Sequence, residues 1–442
     1  MRILELARSL RAREFTCVEL IERTLRDIEA RDIYSSFITQ TPEAALAEAA
    51  EGDWEFAAGI DRGPLHGIPI AHKDLFYTRG VRTTGGSLVY RDFVPDHDAE
   101  IVIRLRNAGA ISVGKANLHE LAYGITSENP HFGFVLNPRD TTRIAGGSSG
   151  GSASLVAAGL LPLATGTDTG GSIRIPASFC GIVGLKPTYD RISRHGVLPL
   201  SFSLDHVGPL GSCVEDCALA MNAMDHSEDF NLPAFDSLDF VRVGVPVNFY
   251  FDRVDEEVAQ SVRDSVALMQ NLGASLVELT VPDPIKTNAA ARIVQFSETA
   301  ALYADHTDTS LFSREVWDLL QQGRLIPGHD YVNAQRMRAI FGREWDAIWD
   351  NVDVVVVPTT PTVAPLLDQK KITICGKEED VRLASTRLVR AFNYLGEPAL
   401  SMPCGQTSVG LPVGLQLISA PMTDARLLQI AKTLERELDL RF

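Results

Sequence analysis

Three short stretches of this sequence carry residue types that could do acyl-transfer chemistry. Gly146-Gly147-Ser148-Ser149-Gly150-Gly151-Ser152 and Thr169-Gly170-Gly171-Ser172-Ile173-Arg174 each set serine among glycines, and His72-Lys73-Asp74 supplies a lysine upstream. A serine hydroxyl is a weak nucleophile at its ordinary pKa. It needs a base beside it and N–H groups aimed where negative charge will develop. Glycine lets the main chain approach a substrate closely and adopt the positive φ that a loop of convergent N–H groups requires. The three stretches together read as a serine hydrolase with lysine in the place that histidine often holds.

The elements around them must position these groups. A Gly/Ser-rich stretch is also the composition of a flexible linker, but the neighbours are apolar. The first cluster runs into Ala153-Ser154-Leu155-Val156-Ala157-Ala158; the second follows Leu161-Pro162-Leu163-Ala164-Thr165 and leads into Ile175-Pro176. A solvated linker would avoid such flanks. Lys73 follows Ile68-Pro69-Ile70-Ala71, which predicts a buried strand. A free lysine titrates near pH 10.4, so serving as a base near neutrality requires a fall of about three units, roughly 4 kcal/mol. Burial supplies a shift of that kind by disfavouring the ammonium.

The run Gly67 to Asp74, the GGSSGGSA segment from Gly146 to Ala153 and GTDTGGSIRIP from Gly166 to Pro176 together resemble the amidase signature family. Ser148 and Ser172 are 24 residues apart, the separation that family shows between its two catalytic serines. The resemblance weakens after about residue 225 and returns at Val354 to Pro361 and Ser401 to Gly405. It implies that Ser172 attacks the carbonyl carbon, that Ser148, following an unusual cis peptide bond, relays the proton, and that Lys73 is the general base. It also implies an oxyanion hole from the backbone N–H groups of Thr169, Gly170, Gly171 and Ser172. Asp168 and Arg174 are expected to brace that loop, with an ordinary surface ion pair as the alternative. Ser149 is either a hydrogen-bonding loop residue or a spectator. The same resemblance sets Tyr123 and Gly124 against the acyl side of the substrate, where Tyr123 would narrow the channel; a core tyrosine is the competing reading.

Other matches fail on context. Ser112-Val113-Gly114-Lys115 fits S-x-x-K, which needs both residues on one helical turn; Gly109 to Gly114 reads instead as a strand ending at glycine. Gly146 to Gly150 and Gly147 to Gly151 fit the G-x-S-x-G elbow, which needs a strand before it; Asn137 to Arg143 reads as a loop. The first cluster lacks the G-K-[ST] ending of a phosphate-binding loop, and His119-Glu120 lacks a second histidine, since position 123 is tyrosine.

The 442 residues show no linker, charge run or repeat, and one domain over 1–442 is expected. Helices are predicted at Cys17 to Ala30, Ala44 to Glu51, Ala99 to Ala108, Ser152 to Ala158, Val258 to Leu272 and Ala384 to Leu395. Strands are predicted at Ile111 to Val113, Val241 to Val245, Leu276 to Leu279 and Val354 to Val357. The alternation points to an α/β fold with a mixed, largely buried sheet. The resemblance implies the amidase signature fold, a large twisted mixed sheet surrounded by helices. A formal charge of −16 argues against nucleic acid as a partner. No apolar stretch approaches a membrane span, and the segment beginning Met1-Arg2-Ile3 reads as a helix rather than a signal peptide. Six scattered cysteines suit reduced thiols in the cytoplasm. No metal and no cofactor is expected.

The favoured expectation is a stand-alone amidase, cleaving a small-molecule carboxamide to carboxylate and ammonia or an amine; its oligomeric state is open. The alternative is the glutamine-hydrolysing subunit of a tRNA-dependent amidotransferase, which passes ammonia to a partner subunit. That branch holds the ends of glutamine with an arginine and an aspartate, for which this chain offers Asp318 or Leu319 and Thr386. Glutamine is therefore disfavoured, and Ser203 to Pro209 resembles stand-alone hydrolases. A second alternative is an inactive amidase-like binding protein, which three intact catalytic positions argue against.

Overall fold

The computed structural model describes residues 2–438 and 440; Met1, counted above with the N-terminal helix and the single domain, lies outside them. Eleven strands form one sheet. In chain order they are β1 (Phe37–Gln40), β2 (Pro69–Lys73), β3 (Ile111–Ala116), β4 (Leu163–Asp168), β5 (Val183–Lys186), β6 (His206–Gly211), β7 (Arg242–Pro246), β8 (Ser275–Leu279), β9 (Val354–Pro358), β10 (Ala399–Gln406) and β11 (Pro412–Ile418). Their order across the sheet is β1-β3-β2-β4-β6-β5-β10-β11-β9-β7-β8. β3, β2 and β4 are mutually parallel, as are β9, β7 and β8, and the strands between these two groups pair antiparallel. The fold is the mixed α/β sheet surrounded by helices.

Local sequence accounts for the elements. The helix Cys17–Arg31 starts from a capping box of Thr16 and Glu19 and buries Cys17, Leu20, Ile21, Thr24 and Ile28 along one stripe. Val354 to Val357 are buried without alternation, as a strand covered on both faces requires. Helices Val214–Met224, Glu256–Asn271 and Asp424–Leu438 pack on the sheet, and their side chains merge with those of the strands into the largest apolar core.

Three sequence expectations need correction. The strand from Ile111 does not stop at Gly114 but continues through Lys115 to Ala116. Asp140–Ile144 is a strand rather than loop, although it pairs only with Leu136–Asn137 in a small hairpin outside the main sheet. The predicted helix Ala384 to Leu395 is two helices, Val381–Thr386 and Ala391–Leu395. Between them the carbonyls of Arg387, Leu388 and Val389 accept from the side chains of Asn288, Gln416 and Arg174, which draws them away from a continuous helical ladder.

Candidate active site

β2 and β4 are parallel neighbours, so their carboxyl ends share one edge of the sheet, the place where α/β sheets present ligand sites. β2 ends at Lys73 and β4 ends at Asp168. The chain leaves β4 through Thr169–Ser172 into the helix Arg174–Cys180, while Ser148 and Ser149 lie just ahead of the helix Gly150–Ala157. These two helices pack against each other, bringing the glycine-rich clusters together. Gly146 shows why the contact demands glycine: a Cβ there would lie 2.9 Å from Pro176 Cα and from the Phe179 ring, both in the second helix, while a Cβ on Gly151 would lie 2.5 Å from the carbonyl oxygens of Ser36 and Asn117.

Lys73 is fully buried. Its Nζ lies 2.8 Å from Ser148 Oγ, 2.9 Å from Ser149 Oγ and 2.8 Å from Thr167 Oγ1. Burial pushes the Lys73 amine down to about 7, against the opposing pull of Asp168 and Asp205. The shift has the desolvation origin read from the apolar run before it. The peptide bond Gly147–Ser148 is cis. Ser149 Oγ also donates to Thr167 O, and its N–H donates to Ser172 O at 3.1 Å. Ser172 thus joins the group through the Ser149 amide; no hydrogen bond links the Ser148 and Ser172 hydroxyls in this arrangement.

The loop 169–172 is held from below. Asp168 and Arg174 are both fully buried and form an ion pair at 2.9 Å. Burial alone would raise the Asp168 carboxyl; the Arg174 guanidinium and Asn393 overcome it and hold the group far below its ordinary value. Asp168 accepts from the N–H groups of Gly171, Ile173 and Arg174 and from Asn393 Nδ2. Arg174 donates onward to Val389 O, Gln416 Oε1 and Asn393 Oδ1. Asp205, buried and pushed up to about 6 by desolvation, accepts from Thr169 Oγ1 at 2.6 Å. One expectation changes here. The Gly171 N–H is committed to Asp168 at 2.8 Å, which removes it from the four proposed oxyanion donors. No described residue accepts from the N–H groups of Thr169, Gly170 or Ser172.

Ser172 opens on a narrow cleft shared with Tyr123, Gly124, Gln295, Arg382, Thr386 and Arg390. Tyr123 is buried there, edge-on to Phe296 with ring centroids 5.9 Å apart. Asp318 is half-buried and paired with Arg314, and Leu319 is core. The arginines at the cleft come instead from positions 382 and 390. Spacing gave no hint of them, nor of Gln295, Asn393 or Gln416, because they arrive from distant segments. Thr167 was within reach of the sequence, two residues before Thr169 in the same motif.

Residues 19–428 match the amidase family. The chain belongs to that family. As an amidase it is a hydrolase of linear amide C–N bonds. A solved chain from work on an unexpected vestigial protein complex and the evolutionary origins of an s-triazine catabolic enzyme superposes with a TM-score of 0.93, at 35% identity over 100% of this amidase and 99% of that chain. Peptide amidase from Stenotrophomonas maltophilia gives 0.85 at 29% identity, over 100% and 98%. Among curated relatives, a glutamyl-tRNA(Gln) amidotransferase subunit from Ralstonia nicotianae is 39% identical over 98% of this amidase and 97% of its own length. The same subunit from Azoarcus sp. is 38% identical over 98% and 97%. These end-to-end relatives overturn the stand-alone expectation, and with it the expectation that nucleic acid is no partner: bulk charge and the positions 318, 319 and 386 weigh less than a likeness spanning the chain. Among the described residues, no helix is long and apolar enough to cross a membrane.

Proposed function

We propose that this amidase is the amide-hydrolysing subunit of an amidotransferase of the kind its curated relatives represent, taking ammonia from glutamine for delivery to a partner subunit. The observation that carries the chemistry is the buried Lys73 amine, 2.8 Å from Ser148 Oγ and poised near neutrality. Neutral Lys73 accepts the Ser148 proton as Ser148 takes that of Ser172, and Ser172 Oγ attacks the amide carbon. Negative charge develops on the carbonyl oxygen, where the N–H groups of Thr169, Gly170 and Ser172 stabilise it. Collapse of the tetrahedral intermediate returns a proton to the leaving nitrogen and releases ammonia; water then cleaves the acyl-Ser172 ester by the same relay. Asp168, Arg174 and Asp205 hold the loop in place and take no proton in the cycle.

The end-to-end likeness to these amidotransferase subunits supports the glutamine reading. The test is ammonia release from glutamine by the purified chain, alone and mixed with the remaining subunits of such an amidotransferase, followed by conversion of glutamyl-tRNA(Gln). Release and conversion that both vanish in Ser172→Ala support the proposal. Release undiminished in Ser172→Ala overturns the nucleophile; absence of tRNA conversion despite brisk release overturns the amidotransferase assignment.

A further inference from the structure

Arg390 and Arg382 line the cleft beside Ser172, Arg292 stands near enough for its charge to act on Arg390, and none of the three has an ion pair among the described residues. Arg390 is 5% exposed, and its Nε finds no hydrogen-bond partner. It reaches the oxyanion loop itself: a Cβ on Gly170 would lie 3.5 Å from Arg390 Nε and 3.7 Å from Gln295 Oε1. Gln295 is 8% exposed, and that oxygen is likewise unpartnered. Arg382 shares the cleft, and Arg292, whose Nε also lacks a partner, lies over the Phe296 ring at 5.5 Å. Buried guanidinium groups ordinarily carry a partner. Here burial first, then the charges of Arg292 and Arg382, push the Arg390 guanidinium down to about 9, and only the Tyr123 hydroxyl acts in the other direction. Asp380 is the one carboxylate whose field counters the shift at Arg292.

We infer that Arg390, with Arg382 beside it, binds a carboxylate on the acyl portion of the substrate, so that the site selects monoamides of dicarboxylic acids over neutral amides. The inference rests on Ser172 being the nucleophile of the proposed function. It goes beyond that reading by assigning the anion subsite to these arginines and by setting the acid, rather than an amino group, as the feature recognised. Among the described residues no carboxylate lines the cleft to pair an ammonium; its unpartnered acceptors are Gln295 Oε1 and the Tyr123 hydroxyl, both neutral. Glutamine fits through its carboxylate, and an acid monoamide without the amino group, such as glutaramate, fits at least as well. Arginine suits the task because its planar fork engages both carboxylate oxygens together.

The test uses two readouts. In turnover, glutaramate and glutamine are compared with butyramide, the neutral analogue in which hydrogen replaces the glutaramate carboxylate, in the wild type, Arg390→Met and Arg382→Gln. The expected result is a kcat/KM for glutaramate about 100-fold above that for butyramide, reduced at least about 30-fold by Arg390→Met and less by Arg382→Gln, while butyramide turnover changes by less than about threefold. Equal loss on charged and neutral amides, or preference for butyramide, overturns the inference. In binding, calorimetry of glutarate with Ser172→Ala, with and without Arg390→Met, reads the subsite without chemistry. Glutarate bound by Ser172→Ala and lost in the double variant supports the anion site even if no amide is turned over, whereas turnover with no glutarate binding overturns it and leaves the nucleophile assignment standing. Thermal melts of each variant confirm folding, and Arg382→Gln, at a less buried position, supplies the readout if Arg390→Met does not fold.

Discussion

Lys73 Nζ and Ser148 Oγ stand 2.8 Å apart across 75 positions of sequence, both wholly removed from solvent. An ammonium at that spot would block catalysis, since it has no lone pair with which to take the Ser148 proton. With the amine brought down to about 7 by burial, kcat/KM should fall tenfold per pH unit below about 7 and level off above it. Lys73→Met should lower the rate by about a thousandfold or more and abolish that limb. A limb that persists in the variant assigns the titration to another group.

The same shift bears on stability, with the sign set by which state holds more protons. An unfolded lysine keeps its proton to about pH 10.4, whereas the folded one releases it near 7, so between these values the unfolded chain binds the extra proton and stability from this group rises with pH. Urea denaturation at pH 7 and at pH 9 should therefore show a larger gain for the wild type than for Lys73→Met. An identical gain in both would show that the folded lysine titrates normally.

Ser148 and Ser149 are nearly equidistant from the lysine, at 2.8 and 2.9 Å, yet differ in their other commitments. Ser149 Oγ donates to Thr167 O and so is already occupied. Ser148→Ala should cost about 100- to 10,000-fold in kcat, the range for loss of a proton-transfer group, and Ser149→Ala much less. A fluorophosphonate probe should label Ser172 in the wild type and nothing in Ser172→Ala. Equal damage from the two neighbouring substitutions would assign the relay to the pair rather than to Ser148.

Asp168→Asn leaves the shape of the loop anchor but removes the charge that answers a buried Arg174. Breaking a buried pair on one side costs about 3–5 kcal/mol, so the denaturation midpoint should drop well below that of the wild type and turnover should fall with it. A midpoint unchanged would mean that Gln416, Asn393 and the Val389 carbonyl satisfy Arg174 unaided.

At Gly151 an added methyl meets two carbonyl oxygens at 2.5 Å. Overpacking of this kind typically costs about 1–3 kcal/mol, and here it would displace the start of the helix Gly150–Ala157, directly after Ser148 and Ser149. Gly151→Ala should lose activity out of proportion to its loss in melting temperature, checked by comparing kcat with a thermal melt.

The grouping of Lys73, Ser148, Ser149 and Ser172 was readable in sequence because each part sits in a locally distinctive setting: lysine after an apolar strand, serine between glycines. The sheet was readable where β-branched runs are uninterrupted, as at Val354 to Val357. What escaped were features decided by partners far along the chain. The break after Thr386 comes from side chains at 174, 288 and 416 taking three carbonyls. The occupied Gly171 N–H follows from the way Asp168 turns back on its own loop. The arginines of the cleft belong to no motif, and only the folding of Gln295 and Arg390 onto the loop at 170 makes them neighbours of Ser172.

Arg174 reaches Gln416 across 242 positions and Asn393 across 219. During synthesis, the loop that carries Ser172 therefore emerges long before the groups that satisfy its buried guanidinium, and contacts of such separation are entropically late. A ribosome that has delivered both glycine-rich clusters has delivered no enzyme: hydrolytic competence should switch on abruptly, as β11 takes its place beside β10, and chains cut short before that strand should be inert however complete their serines and lysine.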